Sequence, residues 1–348
     1  MKTTLCLLAI FFCALISPAC KSNSVSHPTW PAVRVFVTNE ASGDLSVIDG
    51  ERNVVIATLQ LGKRPRGLHL SHDRKLLFVA LSGSPFAPPG VDEDTLPPPD
   101  KTADGIGIVD VERNSFLRLM PAGSDPEEFA ISPDGGKLYV TNEDVGLTSV
   151  VEISSGQIIK SLKVGDEPEG VTLSPDGKVV YVTSEDDSAV SVIETGGDSL
   201  VTSFKVGRRP RVVAFLPDGS RAYVSLENDS GVAVVDTAKH ALLRTIRFEG
   251  EGVKPMGIAV APDGKRIYVT TGRFRKVFAI DTATDQVVGS VEVGARPWGI
   301  AITPDGKTLY TANGPSNDVS VVDAATMQVT ATIKVSDRPW GVAILSRF

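Results

Sequence analysis

Cysteine is almost missing from this chain. Of three in 348 residues, Cys6 and Cys13 fall in the first apolar stretch and Cys20 follows just after it. That scarcity excludes a disulfide framework, a C-x-x-C redox pair and a C-x-x-C-H haem site. Histidine is nearly as rare: His27, His69, His72 and His240 form no H-E-x-x-H or similar spacing, which argues against a metal centre. No apolar run reaches the ~20 residues that a membrane-spanning helix needs. No run of Lys and Arg appears either, and the formal net charge is −7, so a bulk nucleic-acid partner is excluded. A serine nucleophile elbow and a phosphate-cradling loop are also absent.

The N-terminus is organised differently from the rest. Lys2, the apolar stretch Leu5 to Ile16 and the small-residue end Ser17-Pro18-Ala19 read as a secretory signal peptide over residues 1–19. Its removal leaves 34 basic against 42 acidic residues, a net charge of −8. Cys20 at the junction resembles the acylated cysteine of bacterial lipoproteins, although Ser17 stands where Leu is usual and Pro18 is an unusual neighbour. Ordinary cleavage after Ala19, leaving a free thiol, is the alternative. Residues 20–32 then form a polar tether. These features lead us to expect an exported protein of the periplasm or outer-membrane surface, held to the membrane through a lipid on Cys20.

What the chain has in abundance is a period of 42 residues. Aromatic-led apolar runs begin at Phe36, Phe78, Tyr139, Tyr181, Tyr223, Tyr268 and Tyr310. The proline of a recurring G-x-x-P-x-G pattern falls at Pro65, Pro126, Pro168, Pro210, Pro255, Pro297 and Pro339, with the same spacings. Within one unit, Gly299 to Ile302, Thr308 to Asn313, Val319 to Asp323 and Val329 to Val335 read as four short strands joined by turns such as Thr303-Pro304-Asp305-Gly306. Four strands in about 42 residues make one propeller blade. Residues 33–348 number 316, as do seven such units with insertions of 19 and 3. The expected fold is all-β: a seven-bladed β-propeller of four-stranded antiparallel blades. Because the chain starts on a second strand and ends on a first, the N- and C-terminal strands are expected to pair and close the ring.

The runs Val37-Thr38-Asn39 and Tyr139-Val140-Thr141-Asn142, with turns such as Ser174 to Gly177, resemble the YVTN family of propeller repeats. The segments Lys63 to Gly67, Asp125-Pro126-Glu127, Glu167 to Gly170, Arg209-Pro210-Arg211 and Pro339-Trp340-Gly341 are similar to the propeller family associated with PQQ-dependent catabolism. That resemblance covers residues 33–348. It implies a secreted propeller in the company of quinoprotein oxidation, and PQQ enters as a cofactor through that association alone. The 19-residue insertion departs from the pattern.

Candidate site residues follow from which blades differ. The residue after each proline reads Arg66, Glu127, Glu169, Arg211, Met256, Trp298 and Trp340 around the ring. The residue before it reads Arg64, Asp125, Glu167, Arg209, Lys254, Arg296 and Arg338. Acids cluster in one arc, Arg and Trp in the other, a combination suited to an anionic planar ligand; charge pairing between neighbouring blades is the competing explanation. His69 is the bulky exception at a first-strand position that is otherwise small. Glu40, Glu143, Glu185 and Glu227 offer oxygen ligands for Ca2+ but read as solvated turn residues. The recurring acids Asp49, Asp110, Glu152, Glu194, Asp236, Asp281 and Asp323 read as turn caps. The proline-rich acidic insertion Ser82 to Asp104 is either a functional loop or a surface excursion.

The sequence therefore leads us to expect a monomeric, non-catalytic binding module accessory to PQQ-linked oxidation. Its channel mouth would take an anionic small molecule or a periplasmic redox protein through Arg66, Glu127, Glu169, Arg211, Trp298, Trp340 and His69. The alternatives are a lactonase-like hydrolase or PQQ enzyme at the same mouth, with His69 and the Glu127/Glu169 arc as the acid–base set, or a structural or adhesive surface protein.

Overall fold

The computed structural model describes residues 30–86, 91 and 95–347. The expected signal peptide, Cys20 and the expected tether up to residue 29 lie outside the described residues. Twenty-eight strands, β1 to β28, run through the described part. They form seven four-stranded antiparallel sheets. Blade 1 combines β1 (Val33–Asn39), β2 (Asp44–Asp49) and β3 (Val54–Gln60) with the last strand, β28 (Pro339–Ser346), which takes the innermost place. Val33 faces Ser346 and Val37 faces Val342 across that joint, so the two ends of the chain close the ring. Blades 2 to 7 are consecutive quartets covering 65–120, 126–163, 168–205, 210–247, 255–292 and 297–334.

The alternation of the sequence decides what each strand does. Second strands are buried almost throughout, as in the VRVFVTN run of β1, whereas fourth strands such as β3 are mostly exposed. Apolar side chains on the two faces of each blade meet those of the next. The core is accordingly seven apolar clusters, one at each blade junction; Phe36, Leu45 and Val47 of blade 1, for example, pack on Leu68, Leu77 and Val79 of blade 2.

Two polar clamps explain why the aromatic-led motif recurs. The tyrosine hydroxyl reaches a turn of the next blade: Tyr139 donates to Asp198 at 2.6 Å, Tyr223 to Asp285 at 3.0 Å, Tyr268 to the Ala324 carbonyl at 3.2 Å and Tyr310 to the Gly50 carbonyl at 3.2 Å. The hydroxyl two residues later joins the innermost strands. Thr183 Oγ1 accepts from the Gly170 N–H (2.8 Å) and donates to the Arg211 carbonyl of the next blade (2.7 Å). Thr38, Thr141, Ser225 and Thr270 make the same bond to the carbonyls of Arg66, Glu169, Met256 and Trp298. Ala80 and Ala312 stand at this position in blades 2 and 7, and those junctions lack the clamp. The approach is close enough that a Cβ on Gly170 would sit 2.1 Å from the Arg211 carbonyl oxygen, which accounts for the glycine.

Most of the acids at the ends of the third strands cap turns. Asp281 accepts from the N–H groups of Ala283 and Thr284, Asp323 from those of Ala325 and Thr326, and Asp49 from those of Glu51 and Arg52.

Candidate functional site at the channel mouth

The structure starts each innermost strand at the proline of the G-x-x-P-x-G segment. Pro65 faces Leu81 while Leu68 faces Val79, so the inner strand carries one extra residue, and the same bulge recurs in all seven blades. A bulge of this kind redirects a side chain out of the regular alternation. Here it leaves the residue after the proline unpaired in the ladder, at the rim of the channel. The residue before the proline has a left-handed backbone in six blades: Arg64, Asp125, Glu167, Arg209, Arg296 and Arg338 have φ between 39° and 56°. Such a conformation is uncommon for residues other than glycine and tends to gather at functional positions. Lys254 is the exception, in the connection that carries the three extra residues.

Apart from Lys254 and Met256, the residues that flank the prolines line a cavity of about 870 Å³, together with Glu40, Glu143 and the insertion residues Ser84 to Phe86 and Leu96 to Pro99. A second chamber of about 350 Å³ shares Glu127, Glu169, Arg211, Trp298 and Trp340 with it, and adds His69, Glu128 and apolar side chains such as Val213 and Ile300. The described part of the insertion thus belongs to the mouth. Asp104 anchors its base by accepting from the N–H groups of Gly83 (2.7 Å) and Asp125 (3.1 Å).

Charges pair across the blades. Arg66, 2% exposed, is held by Asp125, Glu127 and Glu143, and donates to the Pro126 carbonyl at 3.1 Å. Arg211 is shared by Glu169 (2.7 Å), Glu185 and Glu227 (2.8 Å). Arg209 adds a second contact to Glu185 at 2.5 Å, Arg64 pairs with Glu40 at 2.9 Å, and Lys254 with Glu227 at 2.9 Å. The four glutamates after the second strands are therefore contacts of Arg side chains in the mouth and not solvated turn residues. Their sequence neighbours gave no hint of this, because each partner lies on another strand or blade. Among the described residues no group of three or more His, Cys, Asp or Glu is placed to hold a metal ion.

Too many carboxylates share too few cations, and the protonation of the site reflects that. Burial, and then the neighbouring carboxylates Glu169 and Asp125, push Glu143 up to about 7 against the pull of Arg66 and Arg211. Burial and the adjacent Glu169 also drive Glu185 strongly upward, so this carboxyl keeps its proton beside Arg211. Burial would raise Glu227 as well, but Arg211, Lys254 and Arg209 outweigh it and hold that carboxyl at about 2. Divergent carboxyl groups in one cavity are the arrangement that separates acid from base roles.

His69 sits in the deeper chamber, apart from the charged rim. Its Nε2 lies 2.9 Å from Glu128 Oε1, and its ring meets Phe129 edge-on at 5.0 Å. The ring is half-exposed to the channel while protein surrounds it, so burial opposes its charge and Glu128 more than restores it. The acid beside His69 is thus Glu128, which sequence reasoning missed. An alignment of the positions two after the proline would have found it: they read Gly67, Glu128, Gly170, Val212, Gly257, Gly299 and Gly341.

On the opposite arc, Trp298 and Trp340 pack together with ring centroids 5.9 Å apart. Arg211 and Arg296 each stack over Trp298 at 5.2 Å, and Arg338 lies over Phe86 of the insertion at 4.1 Å.

Fold and rim together define a seven-bladed β-propeller with a charged mouth. Residues 198–345, less than half of the chain, match the family model described as Lactonase, 7-bladed beta-propeller. No curated protein matches. Among solved structures the chain is similar to a proposed 6-phosphogluconolactonase of Bacteroides uniformis, with 19% identity over 90% of this chain and 99% of that one and a TM-score of 0.74. A second proposed 6-phosphogluconolactonase, from Bacteroides fragilis, shares 20% identity over 90% of this chain and 98% of that one, with a TM-score of 0.70. Hydrazine synthase of Kuenenia stuttgartiensis matches at 20% identity over 87% and 99% of the two chains, with a TM-score of 0.71. At these identities the structural likenesses bear on the fold alone. The family match corrects the expectation of a non-catalytic binding module accessory to PQQ-linked oxidation. It favours the alternative, a lactonase-like hydrolase.

Proposed function

We propose that this propeller is a lactonase-like hydrolase that opens a small lactone in the mouth cavity, with Glu143 activating the attacking water. The observation that carries the reading is the Glu143 carboxyl, raised to about 7 by burial and neighbouring acids, in a cavity of about 870 Å³ ringed by guanidinium groups. A general base works best when its pKa lies near the operating pH. Arg66 contacts Glu143 at 3.4 Å from a buried position and so orients the carboxylate without itself reaching far into the cavity. Of the ion-paired arginines that line the cavity, Arg209 is the most exposed and suits the developing oxyanion. In the reaction, water adds to the lactone carbonyl carbon as Glu143 takes its proton. The ring C–O bond then breaks, and the alkoxide leaves with the proton that Glu143 returns.

The test is acid release from a panel of five- and six-membered lactones by wild type and Glu143→Gln. The variant keeps an amide at the Arg66 contact but cannot accept a proton, so turnover falls by about 10²–10⁴. Wild-type kcat/KM rises with pH through about 7, because only the ionised carboxylate acts as base. Full turnover by Glu143→Gln, or a flat profile, removes Glu143 from this role. If wild type opens no lactone, the hydrolase reading fails.

A further inference from the structure

The deeper chamber, about 350 Å³, plays no part in the reaction assigned to Glu143. Its wall is mostly apolar, with Leu68, Val213, Ile258, Ile300 and Val342 lining it beside the two tryptophans. Ile300, Val342, Trp298 and Trp340 are only partly buried, so apolar surface of the innermost strands stays uncovered inside the channel. Where the chamber meets the mouth its charges satisfy one another, Glu127 with Arg66 and Glu169 with Arg211. Thr172 Oγ1 is engaged as well, donating to the Val213 carbonyl at 2.7 Å.

One polar pair interrupts this wall. His69 is the only large side chain in its ring of seven equivalent positions, the others being Ala130, Thr172, Ala214, Ala259, Ala301 and Ala343. Glu128 is the only charged residue in the ring of positions two after the proline, and its Oε1 lies 2.9 Å from His69 Nε2. Gly67 makes room for the pair. A Cβ there would fall on the Glu128 carboxylate, whereas at Gly170, Gly257 and Gly299 it would fall on a backbone carbonyl of the next blade. Oε1 also accepts from the Phe129 N–H at 2.9 Å, and the Phe129 ring braces the imidazole edge-on. Three blade-specific features thus converge at one junction, where alanine suffices in most other blades. The His69 ring is half-exposed on the chamber wall, and its Nδ1 has no hydrogen-bond partner among the described residues.

From this geometry we propose that the deeper chamber is a second ligand site, for an uncharged molecule of one or two rings that carries a hydroxyl group. The rings lie among the apolar side chains and the hydroxyl bonds to His69 Nδ1. The site is independent of the hydrolase reading above. An apolar cavity of roughly 150 Å³ admits benzene, so about 350 Å³ accommodates two fused rings. A charged ligand would lose its hydration against apolar walls that hold no unpaired counter-charge. The choice of a hydroxyl follows from the imidazole. Burial opposes its charge and Glu128 favours it, with the balance on the charged side. The charged ring offers an N–H at Nδ1, and the neutral ring that donates from Nε2 to Glu128 offers a lone pair there. A hydroxyl both donates and accepts, so it meets either state. Glu128 and Phe129 hold the ring in place beforehand, which lowers the ordering cost of binding.

Equilibrium dialysis of the full-length protein at pH 7 compares 2-naphthol with 2-methylnaphthalene, which has the same rings and a methyl in place of the hydroxyl. Wild type is expected to hold 2-naphthol about ten- to a hundredfold more tightly, the worth of one hydrogen bond to a charged group. His69→Ala installs the residue that five of the other six blades carry, so the ring is expected to fold, which a melting curve checks. That variant loses the preference for 2-naphthol while 2-methylnaphthalene binds as before. Glu128→Gln keeps the shape of the pair but removes the charge that favours the imidazolium, and its preference falls between the two. Ile300→Trp places an indole at a partly buried position of the chamber wall and weakens both probes together. Glu143→Gln binds both probes as wild type does, because the mouth takes no part. The proposal is overturned if wild type binds neither probe or binds the two equally. It is also overturned if the preference survives both His69→Ala and Glu128→Gln, or if Ile300→Trp leaves both affinities unaltered, which would place the probes elsewhere.

Discussion

Replacing Arg66 with Met tests whether the charges of the rim hold the ring together. Arg66 is 2% exposed and is the shared cation for Asp125, Glu127 and Glu143. Methionine fills much of the stem volume but leaves those carboxylates facing one another. Breaking a buried pair by removing one partner costs about 3–5 kcal/mol, because the remaining charge is uncompensated. The cost depends on pH in a direction the site fixes. In the wild type, burial raises Asp125, and the greater pull of Arg66, Ser82 and Arg64 brings it below its usual value. That contribution is therefore present above the unfolded carboxylate pKa and is lost on acidification. In Arg66→Met the carboxyls are raised instead, so the variant loses stability as pH climbs through the carboxylate range. The gap between the two proteins opens with rising pH. Urea denaturation at pH 5 and pH 8 measures it: about 3–5 kcal/mol is expected at pH 8, and less than half of that at pH 5. A difference below about 1 kcal/mol at pH 8, the worth of an exposed pair, or one that is equal at both values, refutes the reasoning.

Further outcomes follow from the two kinds of joint. Thr183→Ala strands the buried Gly170 N–H and Arg211 carbonyl, for a loss of about 1–3 kcal/mol. Thr183→Ser keeps the hydroxyl, so an equal loss in both variants by urea denaturation rules out the clamp. Deleting residues 339–348 removes β28 and exposes the edge of β1, which predicts association or aggregation on size-exclusion chromatography. A monomeric truncated protein with an unchanged melting curve contradicts closure by these two strands.

The fold was legible because every blade repeats the same local solution. Tyr139 and its counterparts recur at fixed spacing since each must reach the turn of the next blade, and a period is visible without knowing the partner. The closing joint of β28 on β1 was legible from where the chain starts and stops within a repeat. The site was less so. Its variable positions could be read from the prolines, but the pairing could not: Arg66 meets Glu143 77 residues later, and Arg211 meets Glu169 42 residues earlier. Which cations end up neutralised depends on the radius of the ring and the reach of each bulge, and a linear pattern carries neither. Phe86 was missed for a similar reason, since it lies in an insertion without periodicity and acquires meaning only beneath Arg338.

The two levels are separable by design of the backbone, and this explains how seven similar blades support one asymmetric site. The clamp at five of the seven inner junctions uses a hydroxyl on the second strand and a backbone carbonyl on the next bulge. The side chain of the bulge residue takes no part in it. Arg66, Glu169, Arg211, Met256 and Trp298 all present the same carbonyl to the same kind of bond, so their side chains can differ without altering the joint. Stability therefore constrains the Thr, Gly and Tyr positions and leaves the rim free to be sorted into acid-rich and Arg–Trp arcs. Where Ala80 and Ala312 replace the hydroxyl, the neighbouring bulges carry Glu127 and Trp340, and those junctions rest on apolar packing and on ion pairing such as Arg66 with Glu127. The rim charges thus contribute to the ring itself at the blade 2–3 junction.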